Sequence, residues 1–582
     1  MQPRVIVGIS VCLGLAIGVV LLNRTSTAPT DAGVDPCPVA TEAPWFVDVS
    51  DKVGLNFIHD PGPVGNYFFP QIVGSGAAFF DYDNDGRLDI YLVQNAGPHS
   101  SSRNRLFHQE ADGRFTDVSA GSGLDITGFG MGVAIADVNN DGWCDVLVTE
   151  FGRIRLFRNN GNGTFTDITK EAGLDDPLWA TSAAFFDYDR DGWLDLVVVN
   201  YVDYDPSIAC SVPSGKKDFC GPKSFRGTVA KLFHNLGGKA GAAGGAVRFE
   251  DVTLSSGLGQ LTGPALGVVC ADFNGDRWPD ILVANDGKPN HLWINQKDGT
   301  FKDEAVMRGL ATNRVGQPEA NMGIALGDVS GDGLFDVVST HLTEETHTLW
   351  KQKPRGVFSD RTVAAGIPSA RWRGTGFGVI LADFDHDGYL DLAIANGRVS
   401  EPRSWSKSSS GSFWAPYLER NQLFTNDGRG RFKDISTANA PFCRSLAVSR
   451  GLACGDFDND GAVDLLVTAI AGPARLFRNV APRNGHWLNV RAIDPRLRRD
   501  AYGAEVTVHA RDRKWFRLVN PGHSYLCSND PRVHFGLGDV DRIDRIVVIW
   551  PDGLEETFPG GSVDRFIELR RGEGKTKDLS QG

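Results

Sequence analysis

At 582 residues, with 41% hydrophobic and 23% charged side chains, the chain has material for a large folded core and is too long for one ordinary domain. Its 69 glycines carry no collagen period, so they point to many turns and hence to β-structure. A formal net charge of −13 excludes a general nucleic-acid binder, which needs a basic face for phosphate.

The chain opens on an 18-residue apolar run at 5–22, with Arg4 before it and Arg24 after it. Residues 1–24 therefore read as a signal peptide or an uncleaved signal anchor. The length of the run favours the anchor, while Ser26-Thr27-Ala28 offers a small-residue cleavage site. Either way, the rest is expected outside the cytoplasm: secreted, periplasmic or at the cell surface. Residues 25–44 form a polar linker, and Trp45-Phe46-Val47-Asp48-Val49-Ser50 then reads as a strand with no neighbour in sequence.

Beyond that orphan strand, a nine-residue string, Asp-x-[Asp/Asn/Ser]-x-Asp-Gly-x-x-Asp, recurs seven times. The copies begin at Asp81, Asp137, Asp187, Asp272, Asp328, Asp383 and Asp456, separated by 56, 50, 85, 56, 55 and 73 residues. Each unit predicts four short strands. The first carries a glycine five positions before the first Asp (Gly76, Gly132, Gly267, Gly323, Gly378 and Gly451, with Ser182 in the third unit). The second is an apolar run after the Asp string, as at 88–93 and 194–199. The third carries Leu-Phe or Leu-Trp, as at Leu156-Phe157, Leu232-Phe233, Leu292-Trp293 and Leu423-Phe424, and the fourth carries Phe-x-Asp.

Four strands repeated seven times describe an all-β, seven-bladed β-propeller over 45–482. The seventh unit stops after its third strand, at Leu476-Phe477, so the orphan strand 45–50 is expected to complete blade seven and remove the open edges. An open solenoid would instead need capping repeats. Two insertions stand out at 203–230 and 400–416. The first holds Cys210 and Cys220, the best disulfide candidates among nine cysteines, and the second is rich in Ser and Trp.

The repeated string also specifies a metal site. Oxygen donors at positions 1, 3, 5 and 9 suit a hard cation that takes six to eight oxygens, so Ca²⁺ is expected, up to seven ions. Mg²⁺ prefers a stricter octahedron and keeps more of its waters. With the backbone carbonyl of position 7 included, the first loop's ligands are Asp81, Asp83, Asp85, Arg87 and Asp89, and the second's are Asp137, Asn139, Asp141, Trp143 and Asp145. The third loop offers Asp187, Asp189, Asp191, Trp193 and Asp195, and the fourth Asp272, Asn274, Asp276, Trp278 and Asp280. Asp328, Ser330, Asp332, Leu334 and Asp336 make the fifth set, and Asp383, Asp385, Asp387, Tyr389 and Asp391 the sixth. Asp456, Asp458, Asp460, Ala462 and Asp464 make the seventh. Seven divalent ions would bring the acidic chain close to neutrality. Such ions are expected to be structural, because each is nearly enclosed by protein ligands. Position 6 needs a left-handed backbone, for which glycine is suited. Arg277 occupies it in the fourth loop, at a cost of about 1 kcal/mol or more, and Ser330 removes a carboxylate from the fifth. Loops four and five are therefore expected to bind most weakly.

From 485 to 570 the Asp strings stop and alternating strands predict a small β-sandwich-like domain, followed by a disordered tail at 571–582. The motifs Phe80-Asp81-Tyr82-Asp83-Asn84-Asp85-Gly86 and Asn159-Asn160-Gly161-Asn162-Gly163-Thr164-Phe165 resemble FG-GAP/VCBS repeats. His486-Trp487-Leu488-Asn489-Val490, Ser524-Tyr525-Leu526 and His534-Phe535-Gly536-Leu537-Gly538 resemble the ASPIC/UnbV domain. The pair, with Cys220-Gly221-Pro222 and Asn396-Gly397-Arg398-Val399, is similar to the cartilage acidic protein 1-like family. Two departures are Gln71, where relatives often have an acid, and Arg277.

The resemblance implies a secreted or surface calcium-binding protein with adhesion or interaction roles, engaging a protein or glycan ligand. The alternative is a calcium-dependent enzyme acting on extracellular polysaccharide. No His-Glu-x-x-His, Gly-x-Ser-x-Gly or phosphate-cradling loop is legible. His59, His341 and His347 read as structural histidines. Trp372, Trp405 and Trp414 read either as sugar-stacking residues or as anchors for the insertions.

Overall fold

The computed structural model describes residues 43–237, 244–402 and 412–576. The apolar run at 5–22, the linker up to 42, and Trp405 with its serine-rich neighbours lie outside the described residues. Among the described residues, no helix is long and apolar enough to cross a membrane.

Seven four-stranded antiparallel sheets form the blades of a β-propeller. Blade 2 is typical: Gly130–Ala136, Asp145–Glu150, Arg153–Asn159 and Phe165–Asp167 pair in order. Every residue of the first strand is buried in blades 2, 3 and 4, because both faces of a blade pack against neighbours. This explains why these strands read as continuous small and apolar runs rather than alternating ones. The first strands touch one another in cyclic order, and Ser449–Gly455 of blade 7 meets Ala77–Phe80 of blade 1.

Both ends of the propeller contribute to blade 7. Phe46–Asp48 pairs antiparallel with Arg475–Asn479, with Phe46 opposite Asn479 and Asp48 opposite Phe477. The joint is reinforced by Ser50, whose Oγ accepts from Leu476 N at 2.8 Å, and by an Asp48–Arg475 ion pair.

Residues 486–576 fold into a sandwich of two sheets. One holds Arg499–Asp500, His486–Asp494 and Val533–Gly538, with Arg565–Arg570 added parallel to His486–Asp494. The other orders Arg513–Leu518, Glu505–Ala510, Arg542–Ile549, Glu555–Ser562 and Lys575–Thr576. The expected tail is corrected here: Lys575–Thr576 pairs with Glu556 and Thr557, and Gly572 N donates to the Glu556 carboxylate. That ordered stretch ends at 576, and 577–582 lie outside the described residues. The core between the two sheets (Val506, Phe535, Ile546) runs on without a break into side chains of blades 2 and 3, such as Ala134 and Leu194.

This domain sends one segment, 520–530, down the propeller axis. Cys527–Ser528 adds a parallel strand to blade 1 beside Ala77 and Ala78. Ser524 exchanges backbone hydrogen bonds with Ile324 of blade 5, and its Oγ donates to Leu452 O of blade 7. Tyr525 is fully buried and donates its hydroxyl to Val73 O at 3.0 Å. The glycines of the first strands answer this crowding. A Cβ on Gly76 would lie 2.5 Å from Leu526 O, and one on Gly323 would lie 2.1 Å from Phe377 O of the next blade.

Candidate metal centres

Each Asp string is the turn between the first and second strands of its blade, and all seven share one hydrogen-bond scheme. The residue at position 4 and the residue at position 6 are both left-handed, with φ from 54° to 96°. Position 6 was legible as a glycine site. Position 4 was missed, although asparagine or glycine fills it in five loops (Asn84, Asn140, Gly275, Gly331 and Asn459), as a left-handed residue favours. Arg190 and His386 obscured the pattern.

The position-1 carboxylate accepts the N–H of position 6, as from Gly86 to Asp81 at 2.9 Å and from Gly461 to Asp456 at 2.9 Å. In five loops it also accepts the N–H of position 5. The position-5 carboxylate accepts from position 7, as from Trp143 to Asp141 at 2.9 Å. Position 9 is a clamp: its two oxygens accept the N–H of position 2 and the N–H at the end of the third strand. Asp145 takes Val138 N at 3.0 Å and Asn159 N at 2.8 Å, and Asp464 takes Phe457 N and Asn479 N in the same way. The last residue of the third strand adds a link between blades. Asn159 Nδ2 donates to Tyr82 O of blade 1, Asn235 to Val138 O of blade 2, and Asn479 to Phe384 O of blade 6.

What this scheme leaves unsatisfied is acidic oxygen. Asp187 Oδ1 and Asp383 Oδ1 are buried without a hydrogen-bond partner, as are Asp83 Oδ1, Asp458 Oδ1 and Ser330 Oγ. In loop six Asp383, Asp385 and Asp391 offer oxygens within 4.8 Å of one another, and all three are buried. Crowded carboxylates out of water favour their protonated form. Burial pushes Asp137 up to about 6, Asp187, Asp336 and Asp456 to about 7, and Asp89 to about 8. Asp145, Asp280, Asp391 and Asp464 are driven well above the ordinary carboxylate range by the same cause. Converging hard oxygen donors, some of them orphaned, fit a divalent cation of the calcium type. Positions 1, 3 and 5 would hold it. Position 9 brings an oxygen within reach while already committed to the backbone.

A model of the FG-GAP-like repeat matches residues 81–148, 137–198, 272–339, 328–394 and 412–503, more than half of the chain. The chain is an FG-GAP-like repeat protein. A second model, ASPIC and UnbV, matches residues 494–576 of the C-terminal sandwich. Among curated relatives, cartilage acidic protein 1 of Homo sapiens is 27% identical over 333 residues, covering 56% of this chain and 47% of that protein. The Mus musculus protein is 28% identical over 315 residues, covering 53% and 45%. The chain thus spans about half the length of the curated relatives it matches. Among solved structures, an Agrocybe aegerita lectin is 15% identical, with a TM-score of 0.35 over 64% of this chain and 84% of that one. A Bacillus licheniformis rhamnogalacturonan lyase is 12% identical, with a TM-score of 0.36 over 76% of each.

In this FG-GAP-like repeat protein the ASPIC/UnbV domain covers the face that carries the Asp loops, and it grips them chiefly at the left-handed positions. Arg499 donates to Asn140 Oδ1 at 2.8 Å and to Gly192 O at 3.1 Å. Arg532 donates to Asn459 Oδ1 and to Asp456 O, Trp515 Nε1 to Gly388 O, and Gly538 N to His386 O. Arg277, at φ +71°, donates to Gly553 O at 2.8 Å, so the strained residue of loop four is an anchor for the cap. A cleft of about 570 Å³ lies between cap and loops, bordered by Asp81, Asp137, Arg491 and Phe566. None of these contacts was legible, since they join residues hundreds of positions apart with no shared pattern.

On the opposite face the two insertions form one unit. Cys210 and Cys220 are joined by a disulfide within a hairpin made by Cys210–Ser211 and Lys217–Asp218. Tyr417 donates to Asp218 Oδ1 at 2.6 Å, Glu401 N donates to Asp218 Oδ2, and Phe219 stacks on Trp414. Trp414 is 7% exposed and so anchors its insertion, while Trp372 is partly buried with the Arg420 guanidinium over its ring. His59, His341 and His347 are buried. Burial holds His347 near 4, so it is a neutral, structural group.

Proposed function

We propose that the chain is an extracytoplasmic interaction module whose blade loops carry structural Ca²⁺. The face bearing the joined insertions engages a protein or glycan ligand. The observation that carries the calcium reading is the buried, partnerless oxygen Asp383 Oδ1, inside a fully buried cluster with Asp385 and Asp391. An orphaned anion of this kind is costly unless a cation completes it. Three observations support that choice of ligand face. The loop face is covered by the cap, and the axis is filled by 520–530. What remains is the surface shaped by the disulfide hairpin, with half-buried Phe68, Phe129, Phe151 and Tyr204 in mutual ring contact. Such rings suit sugar faces and protein hot spots alike.

The test is a glycan array combined with a polysaccharide panel, each run with and without calcium. Calcium-dependent sugar binding without turnover supports the module, and silence on both directs the search to a protein partner. Release of product from a polysaccharide would replace this reading with the enzymatic one.

A further inference from the structure

In blades 1, 3 and 7 one strand position aims a side chain at the Asp loop, and its occupants differ around the ring. It is the residue before the last of the third strand: His108, Arg158, His234, Ile294, Lys351, Thr425 and Arg478 in blades 1 to 7. In blade 7, Arg478 Nε lies 2.7 Å from Asp458 Oδ2 and Nη2 lies 3.0 Å from Asp460 Oδ2, so this position delivers a cationic group to loop positions 3 and 5. In blade 1 the same position places His108 Nδ1 3.3 Å from Asp89 Oδ1 and 3.5 Å from Asp83 Oδ2. In blade 3 it places His234 Nδ1 3.0 Å from Asp195 Oδ1 and 3.7 Å from Asp189 Oδ2.

We propose that loops one and three are borderline-metal centres, taking Zn²⁺ or a similar ion through His108 and His234 together with the facing Asp pairs. The His108 cluster has the spacing of ligands around one ion rather than of a hydrogen-bonded pair. Donors at about 2.0–2.2 Å from a shared zinc sit roughly 3.3 Å apart in a tetrahedral arrangement. His108 Nδ1 and Asp83 Oδ1 are buried atoms with no hydrogen-bond partner, and Asp83, Asp89 and His108 bring donor atoms within 4.8 Å of one another. In loop three, Asp189, Asp195 and His234 converge in the same way, and Asp187, 8% exposed, adds its partnerless Oδ1. There a metal would take the place of the proton between His234 Nδ1 and Asp195 Oδ1, the imidazole keeping its ring proton on Nε2. Imidazole nitrogen suits zinc and related ions, whereas calcium takes oxygen. The other five blades carry no histidine at this strand position. The inference rests on the loops being cation sites but not on calcium being the ion they hold.

Metal-free full chain is titrated calorimetrically with Zn²⁺ alone and, separately, with Ca²⁺ alone. The same is done for a His108→Gln/His234→Gln double variant and for each single variant. The wild type is expected to bind two Zn²⁺ that the double variant loses or binds at least about tenfold more weakly, each single variant losing one. Retention of the wild-type circular dichroism spectrum and melting profile by the double variant establishes that it is folded. A Zn²⁺ isotherm unchanged by the double substitution, or a wild type that takes no Zn²⁺, overturns the inference. Failure of the calcium reading looks different: no Ca²⁺ heat in any variant, with the histidine-dependent Zn²⁺ sites intact.

Discussion

Asp464 shows how much of a loop residue's task is internal to the fold. It is fully buried, and its two oxygens hold Phe457 N and Asn479 N at 3.1 and 2.7 Å. Asp464→Asn replaces one acceptor with a donor facing an N–H, so a loss of about 1–3 kcal/mol is expected even without metal. Asp458→Asn, at the more exposed third position, should leave metal-free stability nearly unchanged and weaken cation binding instead. Thermal melts of both variants with and without calcium separate the two roles; equal effects in the absence of metal would contradict them. Asn159→Ala leaves Tyr82 O and Cys144 O unpaired and should cost about 1–3 kcal/mol. At this scale the sequence disclosed the acids at positions 1, 3, 5 and 9 and the glycine at 6, because each recurs in register. The Asn at the end of the third strand also recurs, in Asn159, Asn235, Asn295, Asn426 and Asn479, but a lone amide in an apolar strand carries no chemistry that distinguishes it from a turn residue. His108 and His234 each follow the Leu-Phe pair of a third strand, but nothing in the sequence says that this position faces the Asp loop of its own blade.

The blade as an element was readable from its glycine, Asp loop, Leu-Phe pair and Phe-x-Asp, and from the halves left at each end. Pairing of Phe46 with Asn479 rests on a pattern present in both segments. The axial segment 520–530 was not readable. Ser524-Tyr525-Leu526 has neither strand alternation nor helical period, and its contacts with blades 1, 2, 5, 6 and 7 are set by the shape of the channel. Tyr525 makes a ring contact with Phe377 at 4.9 Å and fills the far end of the axis. Tyr525→Ala is expected to cost about 3–5 kcal/mol through the cavity it leaves. Tyr525→Phe, which loses only the bond to Val73 O, should cost about 1 kcal/mol. Equal melting temperatures for the two variants would show that the segment does not brace the propeller.

For the whole molecule, the acidic loops, their cap and the axial segment are one mechanical unit. The cap holds the loops by Asn140, Gly192, His386, Gly388 and Asn459, the positions whose left-handed backbone shapes the carboxylate cluster. Removing the cations should therefore loosen the cap as well as the blades, seen as faster proteolysis between 485 and 576. The sign of the pH dependence follows from the raised carboxylates. Asp137 near 6, Asp187, Asp336 and Asp456 near 7 and Asp89 near 8 bind protons more tightly folded than unfolded. Their unfolded values lie near 4. The stabilisation these groups give the metal-free protein is thus full only below about pH 4 and is lost progressively as pH rises from there through 6 to 8. With calcium bound the trend should flatten or reverse, because protons and cation compete for the same oxygens. Composition already hinted at this coupling, as the net charge of −13 is close to what seven divalent ions would neutralise.

The most direct test of the account is the melting temperature of the full chain near pH 7.5, measured metal-free and with millimolar calcium, with bound calcium counted by equilibrium dialysis. Several ions bound per chain and a melting temperature raised by ten degrees or more (roughly, from mass action at several sites) are predicted. No bound calcium and identical melting curves would contradict it.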